Sequence, residues 1–291
     1  INELCHGLYP DDTTEHGKLL RLRQQYFFVS AGIQSAIRGF TRLGLDLHDF
    51  YKYYVFQLND THPILAIPEL MRILMDEHGF GWEEAWEQVT HCIAYTNHTI
   101  MPEALEKWPV QYIQTLMPRC YMIIEEINRR MIIWMNSNNV NEGEMYNMSI
   151  IKDGMVRMTN LAIFACFSVN GVAALHTDIL KKETFKDFYK YFPEKLNNKT
   201  NGVTHRRWLM YSNPELSKLI TSKIGDSWIM NPDDLEKLLK FQDDKETLSE
   251  LRKVKHENKL RLAKYIEKKY GITIDTHSII DTQIKRLHAY K

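Results

Sequence analysis

Tyr53-Tyr54-Val55-Phe56-Gln57-Leu58 is a short aromatic and aliphatic run that breaks off abruptly into Asn59-Asp60-Thr61-His62-Pro63. A run of this kind has the composition of a buried strand. Residues 64–77 then carry helical spacing, and residues 81–91 read as a second helix. The pattern begins again with a short strand over residues 92–95 and the polar turn Thr96-Asn97-His98-Thr99. Strand, polar turn and helix, repeated in that order, predict βα units and a mostly parallel sheet, so the fold class is α/β.

Upstream, Leu19, Leu22, Tyr26, Val29, Ile33 and Ile37 recur at three- and four-residue steps, the stripe of an amphipathic helix over residues 18–43. Tyr9-Pro10-Asp11-Asp12-Thr13-Thr14 before it is turn-rich and predicts a surface loop. Downstream, Pro118 opens a long helix with Cys120, Ile124, Ile127, Met131 and Trp134 on its apolar face. Residues 158–167, 168–172 and 173–182 read as helix, extended segment and helix. The polar stretch 195–207 is the expected domain crossing. Asn213-Pro214 and Asn231-Pro232 each place a capping residue before a proline, a helix-start signature. Residues 246–270 predict a charged helix with Leu248, Leu251, Leu262 and Ile266 facing inward, ended by Gly271. Residues 278–284 then predict a strand that delivers Lys285-Arg286 at its carboxyl end.

Composition narrows the class. The 291 residues are 44% hydrophobic and 25% charged, ordinary for a globular protein with a sizeable core. Thirty-seven basic residues balance thirty-seven acidic ones, so nothing in the charge predicts nucleic acid or an anionic membrane as partner. No apolar run approaches the roughly 18 residues of a membrane span. The four cysteines, Cys5, Cys92, Cys120 and Cys166, form no CxxC pair and read as free thiols in a reducing compartment, with the cytoplasm the expected location. The N-x-S/T patterns at Asn59, Asn97, Asn147 and Asn198 are read as chance. No HxxxH, HExxH, GxGxxG or Walker pattern occurs, so no metal site or Gly-rich phosphate loop is expected. The chain opens at Ile1 and stops at Lys291 straight after a basic segment, which is read as a fragment of a longer protein, inactive and poorly stable on its own.

In open parallel sheets ligands gather at the carboxyl ends of strands. Three polar clusters fall at such positions: Asp60-Thr61-His62, Asn97-His98-Thr99 and the segment Lys285-Arg286-Leu287-His288-Ala289-Tyr290-Lys291. The first two offer a carboxylate, an amide, hydroxyls and imidazoles, suited to a polyhydroxylated ligand. The third concentrates cations suited to an anion, most naturally phosphate, with Arg286 able to bind in a bidentate way. The competing readings are a helix cap for Asp60, structural roles for His62 and His98, and plain solvated surface for the basic cluster. Residue patterns alone stop at an α/β protein with a site for a polar, anionic ligand.

Longer strings say more. Gln57-Leu58-Asn59-Asp60-Thr61-His62-Pro63 with Ala66-Ile67-Pro68-Glu69-Leu70-Met71-Arg72, and Ala94-Tyr95-Thr96-Asn97-His98-Thr99 with Pro102-Glu103-Ala104-Leu105-Glu106-Lys107-Trp108-Pro109, are similar to signatures of the α-glucan phosphorylases. Val169-Asn170-Gly171-Val172-Ala173, Asn198-Lys199-Thr200-Asn201-Gly202-Val203-Thr204 and the closing segment from Lys285 to Lys291 resemble the same family, in its order and approximate spacing. The resemblance implies a GT-B-like α/β fold, two Rossmann-like domains facing a cleft. Residues 1–200 would be part of the N-terminal glucan domain. Residues 201–291 would hold crossover helices and the first strand of the C-terminal cofactor domain.

It also implies a pyridoxal-phosphate-dependent glycosyltransferase that splits α-1,4-glucan (glycogen or maltodextrin) with inorganic phosphate and releases glucose 1-phosphate with retention of configuration. The attachment lysine of pyridoxal 5′-phosphate would lie outside this chain. Arg286 and Lys291 match substrate-phosphate ligands, Lys285 matches a contact to the cofactor phosphate, and Tyr290, His98 and Asn201 match contacts to the glucosyl unit. Asp60 matches a position behind His98, Trp208 an aromatic residue beside the cofactor, and Asp12 with Asp11 a gating loop. The family's habit implies an allosteric enzyme and a homodimer. The alternatives are a starch or maltodextrin phosphorylase and a catalytically silent glucan-binding descendant.

Two departures bear on the expectation. His205 stands where the family usually has proline before Arg206-Arg207-Trp208, which implies a slightly altered backbone there. Arg38 is followed by Gly39 where AMP-regulated members carry a second arginine, so half of a phosphate clamp is missing. Millimolar AMP is therefore expected to activate phosphorolysis weakly or not at all, and strong stimulation in the same assay would overturn that reading.

Overall fold

A computed structural model of the chain describes residues 4, 5, 7, 8 and 10–282. The chain forms two compact units, Ile1–Asn201 and Gly202–Lys291.

In the first unit the long amphipathic helix runs over Glu15–Thr41 (α1), opened by Thr14, whose hydroxyl accepts the Gly17 N–H. After a 3-10 turn at Leu47–Lys52 come β1 (Phe56–Asn59), α2 (Ala66–Arg72, ending in a π turn at Ile73–Glu77), α3 (Trp82–Cys92) and β2 (Ile93–Thr96). A longer excursion follows: β3 (Lys107–Pro109), α4 (Val110–Leu116), α5 (Pro118–Ser137), α6 (Glu142–Met148), β4 (Ile151–Lys152), β5 (Met155–Arg157) and α7 (Met158–Ala165). The unit closes with β6 (Ser168–Gly171), α8 (Ala174–Ile179, ending in a π turn at Leu180–Thr184), α9 (Lys186–Tyr191) and β7 (Leu196–Asn198).

The strands order as β1-β2-β6-β7, all parallel, as the repeated strand–turn–helix pattern predicts. A second, antiparallel sheet, β3-β5-β4, has no counterpart in the sequence reading. Its β4–β5 turn is Asp153-Gly154, both at positive φ, the dipeptide that favours a two-residue hairpin. The expected strand over residues 53–58 is shifted. Tyr53 and Val55 are each 61% exposed and lie before the ladder, which pairs Phe56 with Ile93 and runs to Asn59 with Thr96.

The core gathers around α2. Its residues Ala66, Ile67, Pro68, Leu70 and Met71 are buried where α2 packs against α1, α3 and α5. Glu69 is buried with them, at 0% exposure. A lone carboxylate there would be prohibitive, and this one is surrounded by donors. Arg72 Nε and Nη2 reach its two oxygens at 2.8 and 2.9 Å, the Tyr26 hydroxyl donates at 2.9 Å and the Ser30 hydroxyl at 2.6 Å. Burial pushes the Glu69 pKa up, but Arg72, Ser30 and Tyr26 outweigh it and hold the carboxyl below its ordinary value. Cys120 on α5 lies against the same carboxylate, Sγ to Oε2 at 3.5 Å. Burial, then the charge of Glu69, pushes its thiol pKa up. Cys92 and Cys166 are buried as well, and burial raises the pKa of both, Cys92 to about 12.

The second unit is smaller. A π turn at Arg206–Tyr211 leads to α10 (Pro214–Ile224), 3-10 turns at Ser227–Ile229 and Pro232–Phe241, and α11 (Lys245–Tyr270). Asn213 and Asn231 cap as their sequence positions predict, accepting the N–H of Leu216 and of Asp233. Gly271 ends α11 in the left-handed conformation, also as predicted. Trp228 and Ile220 form the small core. The inward face expected of α11 is corrected: Leu262 is exposed, Leu248, Leu251 and Ile266 are half-buried, and no residue of the helix is buried. The helix meets α10 largely through charge, Arg261 to Glu215 at 2.7 Å and Lys223 to Glu250 at 2.8 Å, and such contacts cover little apolar surface. The strand expected over residues 278–284 is also corrected, since its described part, residues 278–282, is irregular.

Removing the Glu69 carboxylate would leave Arg72 in the core without its main partner. Glu69→Ala is expected to cost about 3–5 kcal/mol, read by urea unfolding at neutral pH. Because the folded pKa of Glu69 lies below 4.5, its contribution is complete above that value and is lost as the pH falls through the folded one. Stability of the wild type should therefore fall below pH 4.5 more steeply than that of Glu69→Gln, and equal slopes would exclude the linkage.

Candidate functional site

Four parallel strands in continuous register put four strand ends on one edge, and in this chain those ends are rich in amides. Asn59 pairs with Thr96, Thr96 with Asn170, and Gly171 with Asn198. The backbone ladder continues past the strands into the turns: Asp60 N–H to Thr96 O at 3.0 Å, Asn97 N–H to Asn170 O at 2.9 Å, Lys199 N–H to Gly171 O at 3.1 Å and Asn201 N–H to Val172 O at 2.9 Å. Side chains cross the sheet as well. Gln57 Nε2 donates to Thr96 Oγ1 at 2.8 Å, and Thr96 Oγ1 donates to Asn170 Oδ1 at 2.9 Å. The turns that carry Asp60, His98 and Asn201 are thus tied to one another before any ligand arrives.

Each turn has its own lock. Asp60 sits at φ +66°, and its Oδ1 accepts the Thr61 N–H at 2.7 Å. The helix that follows starts only at Ala66 and has no side-chain cap. The helix-cap alternative for Asp60 is therefore set aside: the side chain holds a left-handed turn instead. Asn97 is buried, donating to the Tyr95 hydroxyl at 3.1 Å and accepting the Thr99 N–H at 3.0 Å, which fixes the turn around the exposed His98. His98 Nε2 lies 2.6 Å from Asn59 Oδ1, so Nε2 carries the proton in that pair and a neutral ring presents Nδ1 as acceptor.

Asp12 is joined to this region through Arg21. Arg21 Nη1 lies 3.4 Å from Asp12 Oδ2 and Nη2 lies 3.3 Å from His62 Nδ1, while His62 Nδ1 is 3.7 Å from Glu106 Oε2. His62 therefore faces a cation and a carboxylate behind the β1 turn, a structural setting for this histidine.

The β6 turn depends on Gly171. A β-carbon there would fall 2.4 Å from Thr177 Oγ1 and 3.1 Å from His176 Nδ1. Thr177 Oγ1 itself donates to Asn198 Oδ1 at 3.0 Å, pinning the end of β7. Asn201, exposed, follows three residues later.

Asp60, His98 and Asn201 therefore share one edge of the first unit. Trp208 belongs to the second unit, on its π turn, 67% exposed. His205 at the start of that turn has φ −61°, an angle that a proline would also adopt. Lys285, Arg286, Tyr290 and Lys291 lie outside the described residues. Thr96, Asn170, His176 and Thr177 were not singled out from the sequence. The available signal was an asparagine within one residue of the carboxyl end of every strand of the parallel sheet: Asn59, Asn97, Asn170 and Asn198. A cleft of about 590 Å3 opens elsewhere in the unit, between Lys107, Arg157, Asn160 and Phe185, with walls from β3, β5 and the α8–α9 region rather than the strand ends. Among the described residues no three His, Cys, Asp or Glu converge as a metal site, and no helix is long and apolar enough to cross a membrane.

The sequence profile described as carbohydrate phosphorylase matches residues 1–291. The chain is 47% identical over 286 residues to the glycogen phosphorylase of Bacillus subtilis, covering 98% of this chain and 36% of that protein. It is 47% identical over 300 residues to alpha-glucan phosphorylase 2, cytosolic, of Arabidopsis thaliana, covering 99% of this chain and 36% of that one. The muscle form of glycogen phosphorylase from Bos taurus is 46% identical over 296 residues, with 98% and 35% covered. The chain thus spans about a third of the length of these curated relatives.

Gly171→Ala is expected to destabilise by about 1–3 kcal/mol, since the new methyl must displace Thr177. The cost should shrink when Thr177→Ala is already present, a non-additivity that a double-mutant cycle of thermal unfolding measures directly. Strict additivity would show that the contact does not govern the turn.

Proposed function

We propose, on the premise that this chain belongs to the carbohydrate phosphorylase family, that its protein cleaves α-1,4-glucan with inorganic phosphate and releases α-D-glucose 1-phosphate. The observation that carries the reading is the shared edge of Asp60, His98 and Asn201 on a pre-formed network of amides and hydroxyls. A glucosyl unit exposes hydroxyls in several directions, and it needs donors and acceptors already fixed in place. His98, aligned by Asn59, and Asn201, held through Val172, supply them. Asp60 holds the turn beside His98. Relatives named as glycogen phosphorylase and as alpha-glucan phosphorylase support the substrate class.

The bond that breaks joins the anomeric carbon to the glycosidic oxygen, and the bond that forms joins that carbon to a phosphate oxygen. The departing oxygen takes its proton from the phosphate, and configuration is retained. Arg286 and Lys291 offset the phosphate charge and orient it, and Tyr290 bonds the glucosyl unit. Pyridoxal 5′-phosphate is the proposed cofactor, and when bound it would supply a phosphate group able to exchange a proton with the substrate phosphate. Trp208 offers it an uncovered aromatic face, which fits a flat ring, and Lys285 would pair with its phosphate. The first unit, up to Asn201, would form the glucan side and the second, from Gly202, the start of the cofactor side of a GT-B-like pair of domains. A cytoplasmic homodimer, subject to allosteric control, completes the proposal.

Incubation of the full-length protein with glycogen, inorganic phosphate and pyridoxal phosphate should yield phosphate-dependent glucose 1-phosphate. Arg286→Ala should lower kcat/KM for phosphate by about 100-fold or more. A folded, cofactor-loaded protein that makes no product would refute the assignment.

A further inference from the structure

The imidazole of His176, on α8, lies between the turns that carry His98 and Asn201. Its Nδ1 accepts the backbone N–H of Val172 at 3.0 Å, and the carbonyl of the same Val172 accepts the Asn201 N–H at 2.9 Å. Both sides of one peptide residue are thus held, one by His176 and the other by the segment that bears Asn201. A ring nitrogen accepts only when unprotonated, so the bond to Val172 requires the neutral tautomer with its proton on Nε2. Nε2 is buried and makes no well-formed hydrogen bond among the described residues. The ring also packs tightly on the strand end, with Nδ1 3.1 Å from where a Gly171 β-carbon would stand.

The surroundings favour the same state. Burial pushes the His176 pKa below its ordinary value, the backbone of Thr99 acts against this, and the nearby charge of His98 adds to it. α8 packs on β6, β7 and the π turn that follows it. The charged residues there are Asp178 on α8 itself, Lys181, Lys182 and Glu183 on the π turn, and Lys199 beyond β7. Lys182 pairs with Asp178 at 3.6 Å and Lys199 donates to Asn197 at 2.6 Å. His98 is the titratable side chain whose charge acts on the ring.

We propose that His176 is a positioning residue of the sugar-binding edge, holding Val172, and through it Asn201, only while its ring is neutral. The word sugar-binding rests on the functional reading above; the mechanical part does not. As the pH falls below 6.5 and through the lower folded value, the ring takes a proton, the Val172 bond is lost, and the Asn201 turn loosens.

His176→Asn and His176→Ala in the full-length protein separate the roles. Asparagine places Oδ1 where Nδ1 was and cannot be protonated in this range, whereas alanine leaves the Val172 N–H unpaired. At pH 7.5, hydrogen exchange at Val172 and Asn201 should be about tenfold faster in the alanine variant and near wild type in the asparagine variant. Below pH 6.5 the wild type should lose protection beyond the intrinsic pH effect, and the asparagine variant should not. In the synthetic direction, KM for glucose 1-phosphate should rise about tenfold in the alanine variant and stay within about threefold in the asparagine variant. Wild-type exchange in the alanine variant, or an unchanged acid response in the asparagine variant, would overturn the proposal. Should the wild type show no phosphorolysis, the functional reading fails alone, and exchange still decides the role of His176.

Discussion

A parallel strand pair cannot be closed by a tight turn, so each return from β1 to β2, from β2 to β6 and from β6 to β7 must run through helices. That constraint organises the first unit. It fixes which end of every strand meets a turn leading outward, and so it collects Asn59, Thr96, Asn170 and Asn198 along a single edge. It also obliges the connecting helices to bury one another. α2 is enclosed so fully that Glu69 is taken into the core, and the carboxylate is kept ionised only because Arg72, Ser30 and Tyr26 converge on it. The polar edge and the buried ion pair are two results of one connectivity.

Much of this was legible because the relevant signals are local. Phe56 to Leu58, interrupted only by Gln57, and Ile93 to Tyr95 are short, mainly apolar stretches that stop at polar turns, and their repetition with helices between them predicts the parallel sheet. What failed to show was register. Tyr53 and Val55 have strand-like side chains, yet the ladder begins only at Phe56 because its partner in β2 begins at Ile93. Composition cannot report where a partner starts. The β4–β5 hairpin escaped for a different reason: Asp153-Gly154 is a strong turn signal, but the flanking strands of two and three residues carry too little alternation to read. For α11 the sequence periodicity is real, and the error lay in assuming that a stripe has enough neighbours to bury it.

At the candidate site, Asp60 and His98 were legible from strand-end logic, and Asn201 from the family's string. His176 was not. Its importance comes from a closure among residues 172, 176 and 201 that exists only once β6, α8 and the segment after β7 have packed. The same holds for Gly171, whose lack of a side chain matters only because Thr177 is already in the space. Residues that touch a ligand tend to announce themselves by type and position. Residues that hold those residues still are ordinary in type, and their role is written in distances.

The thiols offer a practical consequence. Cys92, Cys120 and Cys166 are walled off from solvent, and burial raises the pKa of each, so at neutral pH hardly any thiolate forms for an alkylating reagent to meet. Cys5 is exposed. Within this chain a maleimide dye or spin label will therefore find one address without any cysteine being engineered away. From there a spectroscopic reporter looks onto the helix whose Gln24 amide donates to the carbonyls of Leu4 and Gly7, on either side of the labelled residue.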